Sequence, residues 1–160
     1  MSDNVTIRQL AVKNGGQACD AYSALVDQVV RLADVVEVLG NGIARPAGQS
    51  LARWQVLAEV EAEAAPVAAI ASRLGHTRQS VQRVADLLVD EGLARYRPNP
   101  AHQRAKLLEM TRTGGAALRR MQTAFRQLAL RTTEGLDPER LELARETLGE
   151  LQRRLESELP

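Results

Sequence analysis

The sequence has few aromatic residues and almost no cysteine. Aromatic side chains make up 2% of the 160 residues, and Cys19 is the single cysteine. Leu, Val and Ala must therefore supply the core, which favours helices packed on helices. One cysteine excludes an internal disulfide framework and is typical of a protein of the reducing cytoplasm. We therefore expect a mainly α-helical, cytoplasmic protein.

The sequence also lacks long apolar runs and the usual signs of a catalytic site. No stretch approaches the roughly 20 apolar residues that span a bilayer, and residues 1–17 lack the basic-then-apolar pattern of a signal peptide. There are two histidines, and we find no glycine-rich phosphate loop and no cluster of metal ligands. We expect no membrane association, no enzymatic activity, no cofactor and no bound metal.

The charge is small in total but unevenly distributed. The net charge is +1. Residues 73–106 carry seven basic and three acidic side chains, whereas residues 134–158 carry four basic and eight acidic ones. A basic middle and an acidic end predict that the middle of the chain meets a polyanion.

Helical periodicity dominates both ends of the chain. Residues 1–19 are polar and interrupted by glycine, and we expect part of this segment to be mobile. Apolar residues then recur at spacings of three and four, as on one packed face of a helix, and we call such a set a seam. The seam of the first helix is Tyr22, Leu25, Val29, Leu32, Val36 and Leu39, and that of the last is Leu141, Ala144, Leu148, Leu151 and Leu155. This pattern predicts helices over Asp20–Leu39, from Thr111 or Thr113 to Thr132, and from Asp137-Pro138 to about Leu155. Between the first helix and the next, Gly40–Gln49 has the composition of a loop.

The central segment, residues 50–110, has the pattern of three helices followed by a hairpin. The predicted elements are a helix Leu51–Ala64 capped by Ser50, a short helix Val67–Leu74 ended by Gly75, a helix from the N-cap Thr77 to Asp90, and strands Ala94–Arg97 and Ala105–Met110 around a turn-rich tip. Two helices joined by a tight turn and followed by a β-wing predict a winged helix-turn-helix.

The helix 77–90 divides into an apolar and a polar face. The apolar side consists of Val81, Val84, Ala85 and Leu88. The opposite side presents Arg78, Gln79, Gln82, Arg83 and Asp86. Arg and Gln carry forked hydrogen-bonding groups that match guanine and adenine in the major groove. The hydroxyls of Thr77 and Ser80 suit phosphate contacts. The pattern favours a DNA recognition helix, and the alternative is an ordinary solvated amphipathic helix.

The segment that follows this helix resembles a known family. Four runs resemble the recognition-helix-to-wing segment of the MarR family: Asp90-Glu91-Gly92-Leu93-Ala94-Arg95, Arg97-Pro98-Asn99-Pro100, Arg104-Ala105-Lys106-Leu107 and Leu108-Glu109-Met110-Thr111. The segment Ala69–Gly75 resembles the first motif helix of the same family. The resemblance implies a winged-helix repressor with a small two-stranded wing that binds double-stranded DNA as a homodimer. Residues 20–49 and 111–160 would form the dimerisation helices.

The same resemblance assigns roles in the wing. The family's wing usually carries Asp-x-Arg, in which the arginine enters the minor groove and the aspartate orients it. The matching positions are His102, Gln103 and Arg104, so Arg104 keeps the arginine whereas His102 departs from the aspartate. The predicted wing contacts to DNA are Arg97, His102, Arg104 and Lys106.

The sequence leaves open how such a regulator is switched. Many relatives release DNA when a small aromatic or phenolic ligand enters a crevice between the dimer helices and the DNA-binding lobe. The candidate pocket residues are Tyr22, Arg53, Trp54 and His76. One alternative is thiol-based redox sensing through Cys19. Another is a winged-helix module that binds a protein rather than DNA.

Overall fold

A computed structural model of the protein describes residues 16–100 and 105–159. Its elements in chain order are α1 (Gln17–Ala44), a short 3₁₀ turn (Arg45–Ala47), α2 (Leu51–Glu59), β1 (Ala65–Pro66), α3 (Val67–Leu74), α4 (Arg78–Asp90), β2 (Ala94–Arg97), β3 (Leu107–Met110), α5 (Arg112–Thr132) and α6 (Pro138–Ser157). The predicted mainly helical winged helix-turn-helix fold is confirmed. The described part of the chain divides into two compact units, with the boundary between Ala124 and Phe125.

The first unit is built around one apolar core. The most completely buried large side chains are Val56, Leu57, Ile70, Val81, Leu88, Leu108, Leu118 and Met121. They come from α2, α3, α4, β3 and α5, and the buried Ala65 of β1 and Ala94 of β2 belong to the same core. The stripe predicted on α4 lies in this core, with Ala85 and Leu88 at zero exposure. Amphipathic periodicity therefore identified the buried face of α4 correctly.

In the part of the chain that the structure describes, the sheet has three antiparallel strands in the order β1-β3-β2, whereas the sequence predicted two. Ala65 pairs with Leu108 and Pro66 pairs with Leu107. This strand forms because α2 ends at Glu59 instead of continuing to Ala64. Proline cannot donate a ladder hydrogen bond, and it is tolerated here because β1 is an edge strand. The predicted second strand of the wing also begins later, at Leu107 rather than Ala105.

The loop predicted over Gly40–Gln49 begins five residues later than expected, because α1 continues to Ala44. A Cβ atom at Gly40 would lie 2.8 Å from Cδ1 of Leu51, so the missing side chain allows α2 to approach. Asn41 donates from Nδ2 to the carbonyl of Glu37 at 3.1 Å, and its Oδ1 accepts from the Leu51 N–H at 3.0 Å. Tertiary contact with α2 thus overrides the turn preference of Asn-Gly.

The predicted helix caps around the helix-turn-helix are confirmed. The Thr77 hydroxyl accepts from the Ser80 N–H at 3.2 Å, and the Ser50 hydroxyl accepts from the Arg53 N–H at 3.4 Å. Gly75 ends α3 with a φ of 65°, in the left-handed region that favours glycine. These caps fix the start of α4 and the tight turn before it.

The second unit contains the end of α5 and all of α6. Asp137 caps α6 by accepting from the Glu139 N–H at 3.0 Å, and Pro138 occupies the first turn as predicted. Among the described residues of α6 none is buried. Its large apolar side chains Leu141, Leu143, Leu148 and Leu155 are exposed.

Candidate nucleic-acid interface

The polar face of α4 lies on the surface of the first unit. Arg78, Gln79 and Arg83 are exposed, whereas Gln82 is half-buried. With Asp86, Leu87 and Asp90 they line an open groove of about 740 Å³. Burial of the opposite stripe holds this face outward, so three of the four predicted base-reading side chains are free to meet a partner.

The two hydroxyl residues at the start of α4 are in different situations. The Thr77 hydroxyl accepts from the Ser80 N–H as the helix cap. Its hydrogen remains available for a further acceptor. The side chain of Ser80 is exposed in the first turn of α4. Both hydroxyls therefore lie at the positive end of the helix dipole, where anions are stabilised.

The wing places its basic side chains around one carboxylate. Glu109 on β3 accepts from Arg95 at 2.6 Å and lies 3.5 Å from Nε of Arg97. Lys106 lies with its Nζ 6.0 Å from the centre of the Tyr96 ring. Of the predicted wing contacts, Arg97 and Lys106 are exposed side chains. His102 and Arg104 lie outside the described residues.

A small cluster of polar side chains joins α4 to the wing. The Tyr96 hydroxyl donates to Oδ1 of Asp86 at 2.7 Å. The Gln82 amide donates from Nε2 to the Tyr96 hydroxyl at 2.7 Å and to the same Asp86 oxygen at 2.9 Å. Burial, followed by the hydrogen bond and the charge of Asp86, raises the pKa of Tyr96 from 10.0 to about 12. The phenol therefore keeps its proton, and the cluster its geometry, throughout the neutral range.

Tyr96 and Asp86 were not predicted from the sequence as site residues. Asp86 follows Gln82 by four residues, which places the two side chains next to each other on one helix face. Tyr96 lies in the middle of a strand that the sequence did predict. The packing of β2 against α4 is a tertiary contact, so no local sequence pattern indicated that the Tyr96 phenol meets the Asp86 carboxylate.

A second cleft, of about 520 Å³, lies between α1 and α2 of the first unit. His76 lines it, together with Ala33, Val36 and Leu51. The other predicted pocket residues have different surroundings. Tyr22 is exposed on α1, and Trp54 packs against the core. Arg53 donates from Nη1 to Glu91 at 3.0 Å.

Cys19, the candidate redox residue, is exposed near the start of α1. Its backbone N–H donates to the Gly16 carbonyl at 2.7 Å. In the described part of the chain, no group of three or more His, Cys, Asp or Glu side chains is placed to hold a metal ion. No helix of that part is long and apolar enough to cross a membrane.

The sequence is similar to that of known proteins. Residues 47–105 match the model of the MarR family. An uncharacterized protein of Mycobacterium tuberculosis is 37% identical over 141 residues, which cover 88% of this chain and 99% of the relative. The chain belongs to the MarR family. Members of this family are transcription regulators and not enzymes.

Solved structures agree with this MarR family fold. The regulator BldR of Sulfolobus solfataricus superimposes with a TM-score of 0.79 at 19% identity, covering 86% of this chain and 99% of BldR. A mutant MarR of E. coli in complex with operator DNA superimposes with a TM-score of 0.73 at 20% identity, covering 80% of this chain and 93% of that MarR. At these identities the likeness concerns the fold.

Proposed function

We propose that this MarR family protein is a sequence-specific DNA-binding repressor, and that it binds a pseudo-palindromic operator as a homodimer in the cytoplasm. The outward face of α4 carries this proposal. Its side chains Arg78, Gln79 and Arg83 are exposed, while Val81, Ala85 and Leu88 on the apolar side are buried. Such a helix fits the major groove, where each base pair offers its own donor and acceptor pattern.

The proposed contacts divide into base reading and phosphate binding. Arg78, Gln79, Gln82 and Arg83 are assigned to base edges, and Thr77 and Ser80 to phosphates at the start of α4. Arg97, Lys106, His102 and Arg104 are assigned to the wing, with Arg104 in the minor groove. The E. coli MarR of similar fold was solved with operator DNA, which supports the same use of the fold here.

Exposed apolar faces support the homodimer. On α1 the large side chains Tyr22, Val29, Leu32, Val36 and Leu39 follow the predicted seam and are exposed. On α6 the seam residues Leu141, Leu148 and Leu155 are exposed as well. Apolar stripes of this kind on long helices are typical of protein interfaces. Two copies related by a two-fold axis would place two recognition helices about 34 Å apart, one turn of DNA.

DNA binding is tested by fluorescence anisotropy with duplexes from the region upstream of the protein's own gene, at rising salt concentration. We expect the logarithm of the binding constant to fall linearly with the logarithm of the salt concentration, because phosphate contacts release counterions. Arg83→Ala should cost about 1–3 kcal/mol and relax the preference at one base pair. Absence of binding at micromolar protein and low salt would overturn the proposal.

Release by a small ligand is the regulatory part of the proposal. The cleft between α1 and α2 supports it, since that cleft combines apolar Ala33, Val36 and Leu51 with the polar ring of His76. A panel of small aromatic acids, added to the protein–DNA complex, should lower the anisotropy for at least one compound. The same compound should lose its effect on His76→Ala if it binds in this cleft.

A further inference from the structure

Gln82 is held differently from the other polar residues of its face. Arg78, Gln79 and Arg83 are exposed, whereas the Gln82 amide is fastened to two partners at its nitrogen end. The partners come from α4 itself and from the wing, so the side chain is fixed at both the helix and the sheet.

The hydrogen-bonding types in this cluster determine which end of the amide faces inward. An ionised carboxylate only accepts, so Asp86 requires donors from both of its neighbours. The Tyr96 hydroxyl donates its single hydrogen to Asp86, so toward Gln82 this hydroxyl can only accept. Only Nε2 can satisfy both oxygens, and the carbonyl oxygen Oε1 therefore points away from them.

A rotated amide would be disfavoured. If the amide turned over, Oε1 would lie against the Asp86 carboxylate and would face a hydroxyl whose hydrogen is already used. Two acceptors in contact repel each other and both lose a partner. The polarity of Gln82 is thus fixed before any DNA arrives, in contrast to a free surface glutamine that can present either end.

We propose that Tyr96 and Asp86 are positioning residues that fix Gln82 with Oε1 toward the DNA, so that Gln82 selects a base bearing an amino group. The inference rests on the proposed DNA-binding function. Adenine and cytosine offer an amino donor in the major groove, whereas guanine and thymine offer carbonyl oxygens at the corresponding place. Gln82 accepts from the amino group, and neither Tyr96 nor Asp86 touches the base.

The test is selection of bound duplexes from a library randomised over the operator length, followed by affinity measurement on the selected duplexes. The wild-type protein is compared with Gln82→Ala, Tyr96→Phe and Asp86→Asn. The substitution Asp86→Asn keeps the shape but allows the side chain to donate, which permits the amide to turn over. Gln122→Ala is the matched control, since the Gln122 amide also donates from Nε2 to a carboxylate, Oε2 of Glu61 at 2.9 Å.

We expect Gln82→Ala to identify one position in each half-site, at which the wild-type protein selects adenine or cytosine. Tyr96→Phe and Asp86→Asn should each reduce that preference by roughly tenfold, the value of one good contact to a base edge. In both variants, the base preference at the other operator positions should stay as in the wild type. The salt dependence of the affinity and the affinity for duplexes of unrelated sequence should not change either. The control should match the wild type throughout.

Two results would overturn the inference while leaving DNA binding intact. One is guanine or thymine at the position that depends on Gln82, and the other is an unchanged preference in both Tyr96→Phe and Asp86→Asn. A wild-type protein that binds no duplex would instead overturn the proposed function. If Tyr96→Phe fails to fold, as judged by circular dichroism, Asp86→Asn provides the same comparison at an exposed position.

Discussion

The winged lobe and the long helices use their apolar residues in opposite ways. In the lobe, side chains such as Ile70, Leu88 and Leu108 have zero exposure. On α1 and α6, side chains of the same kind are exposed, for example Leu32 at 52% and Leu155 at 49%. Both regions have the same periodicity in sequence. The lobe completes its core within one chain, whereas the seams on α1 and α6 require a partner surface, which we propose is a second copy.

The largest expected effect is dissociation of the proposed dimer by a charge placed in its interface. Leu32→Glu places a charge in the α1 seam, and burying an unpaired charge in an interface is strongly unfavourable. We expect light scattering at micromolar concentration to change from the mass of two chains to that of one. Arg31→Glu, on the polar side of the same helix, should leave the mass unchanged. A single-chain mass for the wild-type protein would contradict the dimer.

Replacing a leucine by alanine should lower the unfolding free energy more in the winged lobe than on the exposed face of α6. Leu88→Ala removes a fully buried side chain, and such substitutions cost about 2–5 kcal/mol because a cavity remains. Leu143→Ala makes the same change at a side chain that is 64% exposed and lies off the α6 seam, and it should cost at most about 0.5 kcal/mol. Urea unfolding of both variants measures the difference. Equal losses would mean that Leu143 is covered in solution.

The same contrast explains which predictions from the sequence succeeded. The α4 stripe, the Thr77 cap and the Gly75 turn were predicted correctly because each depends on a local pattern of side chains. The strand β1 and the extension of α1 through Gly40 were not predicted, because each depends on a tertiary contact. β1 requires pairing with β3, and α1 requires the close approach of Leu51 in α2.

The candidate site divides in a similar way. Periodicity placed Arg78, Gln79 and Arg83 on the exposed face, and the structure agrees. It also placed Gln82 there, but the hydrogen bonds to Asp86 and Tyr96 leave it half-buried. The phenol reaches α4 only because β2 packs beside it, so a single helix pattern could not reveal the cluster.

The pH dependence of stability should report this cluster. Because the pKa of Tyr96 is raised to about 12 in the folded protein, its proton is held more tightly than in the unfolded chain. The resulting contribution is complete below pH 10 and is lost as the pH rises from 10 to 12. Ultraviolet titration of Tyr22→Phe, in which Tyr96 is the remaining tyrosine, should give a midpoint near 12. Adding Asp86→Asn should lower that midpoint, and no change would mean that burial alone sets it.

The smallest expected effect concerns Arg53, which sequence analysis assigned to a ligand pocket. In the structure both of its Nη atoms contact the Glu91 carboxylate, at 3.0 and 2.8 Å, so that α2 is tied to the end of α4. The Glu91 side chain is 40% exposed, and such ion pairs contribute about 0.2–1 kcal/mol. Arg53→Ala and Glu91→Gln should each lower the unfolding free energy by this amount, and the double variant by less than their sum. If the two losses add fully, the ion pair contributes nothing to stability as a unit.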